Sequence, residues 1–116
     1  MEPDSFLRRM SDAPDSIAFN DTMSVIDALY DFTPTSFRNG ALLNDAGQNN
    51  GSCKLFSFAR LRNLSQQQTL YCFGAYYRKD VLGNPDGADH QNIRNFMKTG
   101  WAGIVFDGEA LTPKRA

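Results

Sequence analysis

Two cysteines and a single histidine are the residues of this chain best suited to covalent chemistry: Cys53, Cys72 and His90. Cys53 follows Ser52 at the start of a predicted helix, where the positive end of the helix dipole lowers a thiol's pKa and prepares a nucleophile. His90 stands beside Asp89 in "GADHQNIRNF", so a carboxylate is at hand to orient an imidazole base. Cys53, His90 and Asp89 are therefore the catalytic candidates, in a cysteine-dependent hydrolase or transferase. The opposing reading is arithmetic: so few thiols and imidazoles make some pairing nearly unavoidable, and a buried cysteine is ordinarily inert. Zinc would draw a tetrahedral ligand set at a recognised spacing, which distant cysteines and one histidine do not supply, so no metal site is expected. Neither GxGxxG nor a phosphate loop is present, and no cofactor is expected.

Non-covalent chemistry concentrates in "NDAGQNNGSCK", residues 44–54. Asn44, Gln48, Asn49 and Asn50 offer donors and acceptors without charge, suited to a polar ligand, while Gly47 and Gly51 let backbone approach it. The same residues also suit an ordered turn feeding a helix, because asparagine tolerates left-handed angles and bonds its own backbone. Both readings stand together. Further binding candidates are Arg38 and Asn39 before a glycine turn, and Tyr76 and Arg78 at the less apolar edge of "YCFGAYYRKD". His90, Asn92 and Arg94 of "DHQNIR" complete the set. The two polar stretches are expected to pack together, with helix N-termini at Ser52 and Asp89 converging beside Arg38 and Arg94 on a site for an anion or carboxylate. In the alternative, the same groups satisfy one another.

The elements that would hold these residues follow from spacing. The first twelve residues carry a weak helical pattern (Phe6, Leu7, Met10) closed by Pro14, and the segment 1–15 stays mobile unless it docks. A short β-type segment is expected over residues 16–19, then a helix capped by Asn20 or Asp21 and ending near Asp31. Residues 35–38 read as a strand entering an Asn39–Gly40 turn. Helices are predicted from Ser52 to Leu61, and from Ser65 to Val81 behind a Ser65/Gln68 capping box. Asp89 caps a last helix that faces Ile93, Phe96 and Met97 inward and stops at Gly100. Residues 103–106 and 109–112 read as a hairpin, and Trp101 as a core plug with its indole N–H on backbone. The expected fold is α+β: about four helices around a small, mostly antiparallel sheet, with curling toward a partial barrel as a variant.

Composition narrows the setting. The 116 residues fit one domain, 1–116, and 41% hydrophobic content with nine phenylalanines points to a phenylalanine-rich core. Twelve basic residues balance thirteen acidic ones and are scattered, which argues against nucleic-acid binding. The apolar runs are too short for membrane insertion or a signal peptide, so a soluble protein with reduced thiols is expected.

"YDFTPTSFRNG", "NDAGQNNGSCKLFSFARL" and "TLYCFGAYYRKDVLGNPDGADHQNIRNFMKTGWAGIVF" together resemble the HopJ family, named for a type III secretion effector of plant-pathogenic bacteria. The likeness runs from about Phe6 to Leu111. It implies a small bacterial protein, exported by type III secretion into a host cell or resident in the bacterial cytoplasm. It brings no established activity, cofactor or catalytic residue. The resulting expectation is a binding module with a polar pocket, whose partner is a host or bacterial protein or a small polar or anionic ligand.

Overall fold

The computed structural model describes residues 3–114. Helix α1, Pro3–Asp12, places Phe6 and Met10 one turn apart and buries both, which is the docking that a short amphipathic terminus needs. A 3₁₀ turn over Pro14–Ser16 follows. The β-type segment expected over residues 16–19 does not form, because Ser16 and Ile17 already donate their N–H groups back to Ala13 and Pro14. Helix α2, Phe19–Leu29, starts directly behind it, with the Asp21 carboxylate reaching back to the Ala18 N–H at 3.0 Å.

Two small antiparallel sheets flank the helices. Strand β1, Tyr30–Phe32, pairs with β5, Leu111–Pro113. Strand β2, Phe37–Asn39, lies between β3, Leu42–Asn44, and β4, Ile104–Phe106. The Asn39–Gly40 turn is present, with Gly40 at φ 60°. The hairpin expected from residues 103–112 is absent, because β4 and β5 join different sheets. Both chain segments change sheets at the same place: Thr33 N–H donates to Ala110 C=O, and Asp107 N–H donates to Ser36 C=O. The two sheets do not close into a barrel.

Helix α3, Asn50–Leu61, and α5, Gln91–Thr99, cross this framework, and Gly100 at φ 59° ends α5. The helix expected over residues 65–81 is broken. Its Ser65/Gln68 capping box is made in both directions, but α4 spans only Gln66–Tyr71. Gly74 then takes φ 63°, and Tyr76–Val81 forms a π-helical turn. The cause is a close crossing: a Cβ on Gly74 would lie 2.6 Å from the Phe19 backbone nitrogen. Apolar spacing in one segment carries no record of a neighbour that near.

Phe6, Phe37, Phe56, Phe58 and Phe96 fill the centre of one buried cluster. Trp101 plugs its margin, half-buried and edge-on to Phe56 and Phe96, with its indole N–H donating to Leu64 C=O at 3.0 Å. Met97, expected inside, is 37% exposed, because the buried face of α5 runs through Asn92, Ile93 and Phe96 and leaves Met97 at its margin. Among the described residues, no helix is long and apolar enough to cross a membrane.

Candidate functional site

The polar chemistry converges where α3 and α5 begin. Asn49 immediately precedes α3 with φ 51° and ψ 47°, and His90 precedes α5 with φ 50° and ψ 48°. Both therefore turn the chain through the same left-handed step, which asparagine tolerates and histidine adopts less readily. Neither side chain caps its own helix, which leaves the leading amides of α3 and α5 without a bond from that residue. Helix starts predicted at Ser52 and Asp89 are thus displaced: Asn49 and His90 hold those positions, and Cys53 lies a full turn into α3.

Between the two starts lies a cavity of about 430 Å³. Asn49, Gly51 and Ser52 bring α3 to it, and His90, Gln91 and Asn92 bring α5. Phe19, Phe73 and Tyr76 supply an aromatic wall, with Leu42 from β3. Tyr76 bridges that wall to the polar rim: its ring centroid is 5.2 Å from those of both Phe19 and His90.

Below the cavity, asparagines bond one another. Asn92 Oδ1 accepts from Asn39 Nδ2 at 3.0 Å and from Asn44 Nδ2 at 3.1 Å. Asn92 Nδ2 donates to Asn44 Oδ1 at 2.9 Å, and Asn49 Nδ2 donates to the same oxygen at 2.7 Å. Asn39 Nδ2 also reaches Asn92 C=O at 2.8 Å. Burial of amides is tolerable only in such a closed set, and Asn39 Oδ1 is its one buried atom without a partner among the described residues. The sheet hairpin, the amide loop and α5 are tied together here, which fixes the angle between the two helix starts.

Residues 3–111 match the family described as HopJ type III effector protein. The chain belongs to the HopJ family. A crystal structure of the unknown function protein VPA0580 superposes with a TM-score of 0.96 at 54% identity, covering 98% of this chain and 95% of that one. No curated protein matches the chain.

The remaining candidates scatter around this HopJ fold. Arg94 is spent on the 84–89 loop: it donates to the carbonyls of Asn84, Pro85 and Asp89, and pairs with the Asp89 carboxylate at 2.7 Å. That hydrogen bond holds Asp89's carboxyl below the usual range, with the His90 charge adding to it. Arg38 points into solvent on the outer sheet face, opposite Leu43 and Val105. Arg78 donates to Ile17 C=O at 2.8 Å, and Gln48 accepts from the Asp45 N–H at 3.1 Å. Asn50 is the exposed first residue of α3. The arginine pair expected beside the helix starts is therefore not assembled there.

Cys53 and His90 take different partners. Cys53 is 1% exposed and its thiol donates to Thr35 C=O at 3.5 Å. Burial pushes its pKa up, against the expectation of a helix-start thiolate. His90 Nε2 sits 3.1 Å from Asp80 and 3.8 Å from Asp89, so Asp80 is the nearer orienting carboxylate. Asp80 and Tyr76, both at the less apolar edge of the 71–80 segment, meet the same imidazole. Both cysteines are free and buried.

Proposed function

We propose that this HopJ protein is a binding module that holds a small polar ligand in the cavity between the starts of α3 and α5. The supporting observation is the meeting of two side-chain-uncapped helix starts with the Phe19–Tyr76 aromatic wall. Amides of a helix start suit a carbonyl or carboxylate oxygen, and the aromatic wall suits a flat apolar portion of the same molecule. Asp80 and Asp89 at the His90 rim, with Arg38 and Arg94 turned elsewhere, disfavour multiply charged anions. The cysteine-dependent reading draws no support from a thiol buried against a carbonyl.

The test is protein-observed amide NMR with a panel of small aromatic amides and monocarboxylates. Binding that shifts the Gly51 and Asn92 amides and is lost in Tyr76→Ala supports the cavity. A panel without binders, or binders untouched by Tyr76→Ala, overturns it. The family's name also supports delivery into a host by type III secretion. A reporter fused to the full chain should leave bacteria with a working secretion apparatus and stay inside those without one.

A further inference from the structure

A second concavity, of about 360 Å³, lies on another face between α3 and the chain from Phe106 to Pro113. Two sheet edges open toward this segment. In β1–β5, Thr33 N–H bonds Ala110 C=O and Lys114 N–H bonds Leu29 C=O, so the register turns the N–H and C=O of Leu111 away from β1. By the same alternation, the Asp107 N–H bond to Ser36 turns Phe106 away from β2. Leu111 and Phe106 both line the concavity.

The opposite wall is α3. Arg60 extends over it, held by a bond from its guanidinium to Ile104 C=O at 3.3 Å and by the Trp101 and Phe106 rings, each 5.8 Å away. Its other N–H donors make no hydrogen bond among the described residues. Ser57, 8% exposed, also lines the wall, and its hydroxyl has no partner among the described residues. A helical serine ordinarily satisfies itself on a preceding carbonyl, so this buried hydroxyl is an unmet polar group at the groove. Leu61, 53% exposed, adds apolar surface, and Glu109 supplies the opposite charge.

We propose that this groove docks an extended peptide segment of a partner protein, whose backbone pairs with Leu111 and which presents an acidic side chain to Arg60 and a basic one to Glu109. Open strand edges recognise an extended backbone, and the arginine–glutamate pair sets its direction. A second copy of the chain is a poorer occupant, since Pro113 removes a donor from the β5 edge and blunts pairing of that edge with itself. The proposal is independent of the cavity beside His90.

The experiment uses an array of acetylated, amidated peptides about six residues long, Val and Thr alternating with varied positions, titrated into the full chain and followed by amide NMR. Peptides carrying an acid should shift the Leu111 amide and slow its exchange with solvent. Methylating the pairing peptide nitrogen, or Arg60→Gln in the protein, should weaken binding about tenfold. The proposal is overturned if no peptide moves Leu111, if the methylated peptide binds equally well, or if the shifts fall at His90 instead.

Discussion

The cavity beside His90 and the groove beside Arg60 are of similar size but are built from opposite materials. The cavity rests on side-chain amides that bond one another, so its floor is rigid and nearly every polar atom is partnered. The groove rests on backbone edges, and its one buried side-chain polar group, the Ser57 hydroxyl, is left unpartnered. A closed network holds shape without a ligand, whereas an unmet donor and open edges gain most when something arrives. The lesson is that density of polar residues marks scaffold as readily as it marks a binding surface.

The largest effect is expected from Asn92→Ala, which removes three buried side-chain hydrogen bonds, strips the Asn44 amide nitrogen of its acceptor and leaves Asn39 only the Asn92 backbone carbonyl. About 3–5 kcal/mol of stability should be lost in denaturant melts. A change below about 1 kcal/mol would break the contrast, because the amide set would then not be the cavity's scaffold.

Gly74→Ala comes next. Its positive φ and the 2.6 Å approach to the Phe19 nitrogen should cost about 2–4 kcal/mol. It should also move Tyr76, so the Gly51 and Asn92 amides should shift while the Leu111 amide stays. Shifts at both places would mean that the two regions are not mechanically separate.

A pH effect of intermediate size belongs to Cys72, whose thiol burial pushes up to about 12 from 9.0. The folded chain then holds this proton more tightly than the unfolded chain. Its contribution is complete below pH 9.0 and declines as pH rises toward about 12. Melts of the wild type and Cys72→Ala should therefore diverge in slope above pH 9.0. Parallel slopes would show the thiol to be better solvated than its burial implies.

The smallest effect sharpens the groove's side of the contrast. Ser57→Ala should raise stability by about 0.5–1 kcal/mol, since it deletes an unpartnered buried hydroxyl. A loss of similar size would show that the hydroxyl has a partner in solution.

Local signals in the sequence were strong where a residue acts on its near neighbours. The Ser65/Gln68 box, the Asn39–Gly40 turn, the Gly100 stop and the Trp101 bond to backbone follow from side-chain chemistry within a few residues or from sheer apolar bulk. The meeting of "NDAGQNNGSCK" with "DHQNIR" was legible too, because amides that cannot be buried alone must find one another. The likeness to HopJ came from long consecutive motifs, which matching over residues 3–111 bears out.

What only the tertiary structure decided lies at crossings between distant segments. The break at Gly74 exists because α2 passes 2.6 Å from where a side chain would begin, and the π-helical turn after it carries Asp80 to His90. Arg94 reads as a free cation in sequence, yet three carbonyls and a carboxylate of a nearby loop claim it. Strands β4 and β5 look like a hairpin because both are apolar and close in sequence, but pairing is chosen by competing edges, and β1 and β2 offered better ones on different sheets. Sequence determines what each residue can bond over short range. Which of those bonds is made depends on the geometry of the whole chain, because each donor and acceptor is used by the partner that packing brings nearest.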